Sequence, residues 1–477
     1  MMKQLLCLLA LALCRPVFAQ DAPRVWTLKE CIDYALQNNI DVRRSLLGME
    51  TADINLLQSK AQMLPTLNAG SSPGINLGRS IDPTTNLFLQ RQINSINFNA
   101  NSNFLLFNGL RLLNTVRQNQ IENKAAMEDY QRAKNDVILS VISFYMNVIF
   151  NKELYQNAEI QLNTTNQQLA RTRRLAEAGS VPRGDVLDLE AQAATNELNL
   201  VTRENALNLS LLQLKQALQL PGATAMDVEV PAVDMVEELM LNEDAEDIYM
   251  VARTVMPEIK AASYRVESTT MAVRAARGNY FPRVNLNGNV FTNYSSAFMQ
   301  PIGSEIIAPP PQIGVVQGTN QQVISNRAIE RPILVTKPFN DQFSENISKV
   351  FSLQIQIPIF NGLNTRAGVQ RSIISNQQAV INLQDNENRL RQAVETAYND
   401  AAAAAKTYQS SLRQVAARDE AFRMNKQRFE SGGVDFVNYQ VAENNLFQAQ
   451  SDLLRAKYDF IFRKKVLDFY LGKPLEF

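Results

Sequence analysis

Three short segments of the chain alternate polar and apolar side chains with a period of two. In Ile96-Asn97-Phe98-Asn99-Ala100-Asn101-Ser102-Asn103-Phe104 every second residue is Asn and most of the others are apolar. Val284-Asn285-Leu286-Asn287-Gly288-Asn289-Val290 and Phe351-Ser352-Leu353-Gln354-Ile355-Gln356-Ile357 repeat the pattern. Successive side chains of a strand point to opposite faces. Each segment therefore predicts a strand with a mainly apolar face and an amide face: Asn97, Asn99 and Asn101 on the first, Asn285, Asn287 and Asn289 on the second, Gln354 and Gln356 on the third. A fourth strand opens at Pro65-Thr66-Leu67-Asn68, but Gly70, Pro73 and Gly74 leave its course undefined.

Elsewhere the pattern is helical and unusually long. From Leu110 to Ala178 there is neither Gly nor Pro, enough for a helix on the order of 100 Å at about 1.5 Å per residue. Gly179 and Pro182 interrupt it, and a second stretch runs from Asp185 to Leu220. The same sequence of events recurs: Val369 to Ser431, a break at Gly432-Gly433, then Val434 to Leu471. These are αα-hairpins far longer than ordinary globular helices, suited to a coiled coil or a helical tube. Asn114, Gln118, Asn119, Gln120, Asn123, Gln131, Asn135, Asn147 and Asn151 recur along the first of them; they suit either a solvated outer face or a helix wet on two sides. A shorter helix begins at Thr27, where Thr27-Leu28-Lys29-Glu30 forms a capping box and Trp26 is placed as a hydrophobic staple. Leu28, Cys31, Ile32, Ala35 and Leu36 make its apolar stripe, and Ile248, Val251, Ala252 and Val255 make the counterpart before Pro257.

The chain is one unit written twice. Leu106-Phe107-Asn108-Gly109-Leu110 recurs as Ile359-Phe360-Asn361-Gly362-Leu363, and the offset of 253 from Phe107 to Phe360 also pairs Tyr145 with Tyr398, Gly179 with Gly432, Leu214 with Leu467 and Pro221 with Pro474. Upstream, Leu64-Pro65 recurs as Phe281-Pro282, an offset of 217. The difference, 36 residues, is an insertion within Thr292 to Ile347, a stretch rich in Pro, Gly and polar residues that reads as a surface loop. The expected organisation is a signal sequence at 1–19, a first repeat at 20–221, a linker at 222–243 and a second repeat at 244–477.

Composition narrows the function classes. Lys3, the apolar run Leu5 to Leu13 and the Val17-Phe18-Ala19 cleavage site make a secretory signal too short to span a membrane, with Gln20 as first mature residue; processing at Cys14 is the alternative. Cys31 then remains alone and reads as a small buried hydrophobe. There is no His, which excludes Ser-His-Asp or Cys-His catalysis and His-ligated zinc; no enzymatic activity, metal or cofactor is expected. Lys and Arg together number 47, as do Asp and Glu, so charge does not point to nucleic acid. The most apolar helical stretch, Val137 to Phe150, is interrupted by Ser140, Ser143 and Asn147 and reads as a buried helix face.

Strands with uncharged polar residues on one face and apolar residues on the other fit a lipid-facing, water-lined barrel. Four strands cannot close one, and about eight leave a filled interior. Three chains would pool twelve, which predicts a homotrimer with a pore.

These residues resemble the TolC-type outer-membrane efflux family over nearly the whole mature chain. The resemblance rests on Trp26 to Asn39, the Leu64-Pro65 and Phe281-Pro282 strand openings, the two Phe-Asn-Gly strand exits and the hairpin turns Glu177-Ala178-Gly179 and Glu430-Ser431-Gly432. It implies a mainly α fold: a trimeric twelve-stranded barrel in the outer membrane of a Gram-negative cell on a long periplasmic helical tube. It implies the exit duct of a tripartite efflux pump or a type I secretion system, partnered by a periplasmic adaptor and an inner-membrane transporter. The loops Ser71 to Ile93 and Thr292 to Ile347 would then lie outside the cell. Gly179, Val181, Arg183, Gly432, Gly433 and Val434 would form the periplasmic tip and adaptor contact. By spacing, Asp185 and Asp188 resemble the family's acidic gate pair, or else charge the start of a helix. Asn438 and Val441 stand at the equivalent positions of the second copy, with Asp435 the nearest acid. The rival readings are an exported coiled-coil stalk, which leaves the amide strands unexplained, and a periplasmic hydrolase or binding protein.

Overall fold

The computed structural model describes residues 24–81, 86–90, 92–231 and 243–473. The signal sequence with Cys14 and its cleavage site, Pro474 and residues 232–242 of the expected linker lie outside these. The first repeat runs β1 (Arg24–Trp26), α1 (Leu28–Asn38), α2 (Ile40–Ala61), β2 (Thr66–Asn76), β3 (Arg79–Ile81), β4 (Phe88–Gln90), β5 (Ile93–Phe107), α3 (Arg111–Glu177) and α4 (Arg183–Ala217). After β6 (Met226–Val228) the second repeat runs α5 (Ala245–Val255), α6 (Pro257–Arg277), β7 (Arg283–Ser295), β8 (Met299–Ala308), β9 (Gln312–Val315), β10 (Gln322–Ile324), β11 (Ile329–Thr336), α7 (Phe339–Glu345), β12 (Ser348–Gln356), α8 (Asn364–Glu430) and α9 (Phe436–Tyr470).

The duplication is kept to the residue. Helices α3 and α8 are both 67 residues long, and α4 and α9 are both 35. Leu28 and Ala245, which open α1 and α5, stand 217 apart, as do Ile40 and Pro257, which open α2 and α6.

The chain forms two compact units. One comprises Met1–Ile54, Gln120–Thr269 and Ser375–Phe477; the other comprises Asn55–Asn119 and Thr270–Ile374. In the first, the capping box at Thr27 forms as expected: Glu30 N donates to Thr27 Oγ1 at 3.2 Å, and Thr27 N donates to Glu30 Oε2 at 3.0 Å. Leu28, Cys31 and Ala35 of α1 pack on Val137, Val141, Ile142, Tyr145, Val148 and Ile149 of α3, with Leu214 and Leu218 behind them. The most apolar stretch of α3 is thus a core face. Cys31 is fully buried, and burial pushes its thiol up to about 12. A second core repeats the design, with Ile248 and Ala252 of α5 against Leu390, Val394 and Ala401 of α8. Val251 and Val255 from the expected stripe stay more exposed.

One element of this unit carries no period in the sequence. β1 pairs in parallel with β6, Trp26 opposite Val228, so part of the expected linker is a strand. The buried Tyr145 hydroxyl clamps the pair, 3.1 Å from Trp26 O and 2.8 Å from Glu229 O. Lys152 Nζ lies 2.7 Å from Asp227 Oδ1.

The second unit holds a four-stranded antiparallel sheet in the order β12-β7-β5-β2. Its strands outrun the sequence expectation. Ser71 to Asn76, expected as loop, belong to β2, and Thr292 to Ser295 belong to β7. The local signal at Gly70, Pro73 and Gly74 disfavours a strand, yet β2 pairs residue by residue with β5 from Thr66–Asn103 to Asn76–Ile93. The ladder to a long partner overrides local propensity. The insertion is also ordered: β8 pairs with β11, β9 with β10, and α7 follows.

Candidate channel wall and hairpin tips

Cross-strand partners in an antiparallel sheet project to the same face, so the register shows how the amides sort. Asn101 pairs with Asn289, and Asn103 with Asn287. Asn97 pairs with Asn293, and Asn99 with Phe291. Asn285 pairs with Gln354, and Arg283 with Gln356. On the other flank, Thr66, Asn68, Gly70 and Ser72 stand opposite Asn103, Asn101, Asn99 and Asn97. Asn97, Asn99, Asn101, Asn285, Asn287, Asn289, Gln354 and Gln356 therefore share one face across three strands, which Asn68 of β2 extends to the fourth. The amides join across the β5–β7 seam, where Asn103 Nδ2 donates to Asn287 Oδ1 at 2.6 Å. The opposite face carries Leu67, Ala69, Phe98, Ala100, Phe104, Val284, Leu286, Val290, Leu353 and Ile355. Lys349, opposite Val290, is the one charge on that face of the four strands.

A bulge between Leu105 and Phe107 resets the alternation, pairing Leu105 with Asn285 but Phe107 with Val284. Asn108-Gly109-Leu110 then turns the chain into α3. Gly109 and Leu110 both take positive φ, 66° and 62°, and Gly362 and Leu363 repeat this at 62° and 65°. Gly109 is required twice over, because a Cβ there would lie 2.3 Å from Gly278 O.

In the first unit the hairpins turn at Gly179 and Gly432, as the sequence predicts. Both have positive φ, 76° and 75°. Ser180 N donates to Leu175 O at 2.9 Å, and Gly433 N to Arg428 O at 2.7 Å; each glycine thus ends its helix in a Schellman motif. Val181 and Val434 lie in the turns, and Arg183 opens α4. Asp185 is in the first turn of α4, whose capping position is Pro182 with no side-chain cap bond. Asp188 is exposed on the same helix. Asp435 is the N-cap of α9: its Oδ1 accepts from Asn438 N at 2.9 Å and from Asn438 Nδ2 at 2.8 Å.

The structure also groups residues that the sequence reading passed over. Phe429, Phe436 and Tyr439 cluster with Leu169 and Leu189 beside the turns. Tyr439 donates to Glu443 Oε1 at 3.3 Å; both are buried, and burial pushes the Glu443 carboxyl above its usual range. Above this cluster a run of uncharged groups crosses three helices. Gln440 Nε2 donates to Gln192 Oε1 at 2.7 Å, Gln192 Nε2 to Asn196 Oδ1 at 2.9 Å, and Asn196 Nδ2 to Thr165 Oγ1 at 2.9 Å. Some amides of α3 thus bridge helices: Asn123 Nδ2 donates to Asp53 Oδ1 at 2.6 Å and Asn157 Nδ2 to Ser451 Oγ at 3.4 Å.

The family model described as outer membrane efflux protein matches this chain in two segments, residues 31–219 and 249–473, one in each repeat. The chain belongs to the outer membrane efflux protein family. Outer membrane efflux protein BepC of Brucella suis is 22% identical over 439 residues, covering 91% of this chain and 83% of BepC. An uncharacterized protein of Haemophilus influenzae is 25% identical over 274 residues, 56% of this chain and 57% of that protein. Among solved structures, the outer membrane protein VceC of Vibrio cholerae superposes with a TM-score of 0.71 at 16% identity, covering 94% of this chain and 97% of VceC. This outer membrane efflux protein is thus an outer-membrane channel whose mainly α fold carries a small β part, with hairpins and strands duplicated within the chain.

Proposed function

We propose that three copies of this chain form the exit duct of a tripartite efflux pump or type I secretion system, a passive conduit opened by a periplasmic adaptor. The observation that carries this reading is the sheet. Nearly all of its amides collect on one face and most of its apolar residues on the other, while among the described residues β2 and β12 each leave one edge unpaired. β12 and β2 are both antiparallel to their inner neighbours, so the β12 edge of one copy meets the β2 edge of the next antiparallel, as an up-and-down barrel requires. Three copies close twelve strands and leave room for water inside.

On this reading the amide face is the lumen and offers solutes a wetted path. The turns at Gly179, Val181 and Arg183, and at Gly432, Gly433 and Val434, contact the adaptor, and Asp185, Asp188, Asp435 and Asn438 lie near the gate. An adaptor opens the duct only as far as it binds the open tip better than the closed one. The two long repeats, joined by the segment around β6, are the repeated units of each subunit, and each contributes segments to both compact units. The test is the purified full-length protein. Detergent-resistant, heat-dissociated trimers that conduct ions across a planar bilayer are expected; a monomer that stays soluble without detergent overturns the reading.

A further inference from the structure

Helix α7 lies in the insertion that only the second repeat carries, and it folds back onto the sheet. Gln342, 1% exposed, fastens it: Ser295 N donates to Gln342 Oε1 at 3.0 Å, and Gln342 Nε2 donates to Ser295 O at 3.0 Å and Lys337 O at 2.8 Å. The side-chain amide thereby pairs the backbone of β7 beyond Phe291, where β12 stops. Thr292 Oγ1 donates to Phe343 O at 2.8 Å, and Asn346 Nδ2 donates to Asn293 O at 2.8 Å. Lys337 and Glu345 form an ion pair across the helix.

The face it covers is the apolar one. Phe98 and Tyr294 project from that side of β5 and β7, the two central strands. Phe343 meets the Phe98 ring edge-on at 5.4 Å between centroids, Phe339 meets Tyr294 at 5.4 Å, and the two helix rings stack at 5.8 Å. Phe339 and Phe343 nevertheless remain 39% and 38% exposed. The result is a four-ring aromatic cluster with one charged ion pair beside it, placed away from the sheet edges where another copy would dock.

Its distance from the opposite end of the sheet is informative. Phe107 stands opposite Val284 on the same face, with exposed Tyr280 and Phe281 just before the strand. From Val284 to Tyr294 the strand advances ten residues, about 33 Å at ~3.3 Å each. Tilted ~40°, that is a height of about 25 Å, the apolar band of an outer-membrane barrel, which aromatic residues flank on both sides. Between the two aromatic rows the face is uncharged except for Lys349, opposite Val290.

Resting on the barrel reading, we propose that α7 is a lipid-interface anchor: Phe339 and Phe343 sit at the headgroup boundary of the outer leaflet, outside the pore, and fix the depth of the barrel. The test uses the mature full-length protein in phospholipid vesicles. Cys31 is fully buried, so cysteines introduced singly as Phe343→Cys, Val290→Cys and Asn99→Cys accept a nitroxide selectively. Collision with oxygen, enriched in lipid, is compared with collision with a water-soluble nickel chelate. At 343 oxygen collision at least two-fold above that at 99, and nickel collision above that at 290, is expected. A label at 343 that matches 99 while 290 is lipid-immersed overturns the anchor and leaves the barrel standing. A label at 290 that also matches 99 removes the barrel reading and the anchor with it. Should Phe343→Cys fail to assemble, Phe339→Cys reports on the same boundary.

Discussion

The glycines of this chain separate into two energetic kinds, although they share a backbone conformation. Gly109 has positive φ and faces Gly278 O, Phe281 Cβ and Gly278 Cα, all within 3.0 Å of a built Cβ; Gly179 has positive φ and open space. Gly179→Ala therefore pays only the left-handed penalty, about 1 kcal/mol. Gly109→Ala adds a backbone clash and is expected to cost several-fold more, on the order of 3 kcal/mol. Thermal dissociation of the two purified variants ranks them; equal losses would remove the close approach at Gly109. Glu443 makes a pH prediction. Its folded-state pKa is raised, so between the unfolded value of 4.5 and the raised folded value the folded chain binds more protons than the unfolded one. Stability from this group is present below that window and falls as pH rises through it. Glu443→Gln should abolish that slope, seen by comparing melting at acidic and neutral pH. The sequence offered a signal for this residue: Phe436, Tyr439 and Glu443 follow at helical spacing, on the buried side of α9. An acid on that stripe was readable as buried; its Tyr439 partner was readable as well, four residues back.

Among elements, α1, α5 and the four long helices were legible because their causes are local, whereas α2, α6 and α7 were not read. Long runs without Gly or Pro, a capping box at Thr27 and glycines at the turns set their ends to within a few residues. What local sequence does not carry is pairing with distant segments. β2 contains two glycines and a proline and persists because β5 supplies a partner for each residue. β1 and β6 are three residues each, too short to show a period, and meet across some two hundred residues. The bulge after Leu105 and the fastening of α7 by Gln342 likewise depend on neighbours that no window contains. The caps give an element-scale prediction. Asp435 accepts from Asn438 N, whereas Asp185 follows a capping position held by Pro182. Asp435→Ala should cost about 1 kcal/mol and speed amide exchange in the first turn of α9. Asp185→Ala should lose only the smaller dipole term, a few tenths of a kcal/mol. Equal exchange in the two variants would contradict the assignment of the cap.

For the whole molecule, the decisive property is that one sheet presents chemically opposite faces. Neighbouring residues of β7 test it. Val290 pairs with Ala100 on the apolar face and Asn289 pairs with Asn101 on the amide face. Val290→Arg should cost about 2–4 kcal/mol in the bilayer and deplete heat-dissociable trimers from the outer-membrane fraction. Asn289→Arg should assemble and alter conductance. The reverse pattern would exchange inside and outside. The duplication and the alternation are legible in the sequence because they are periodic properties of the chain.

The unpaired flanks of β2 and β12 bear on how the channel is made. Among the described residues, a single chain carries two strand borders whose backbone groups have no partner strand, each able to join another strand. Solitary subunits are consequently the hazardous species in the life of this protein. The same two borders that close a barrel between copies are therefore the part of a lone chain most open to wrong pairing.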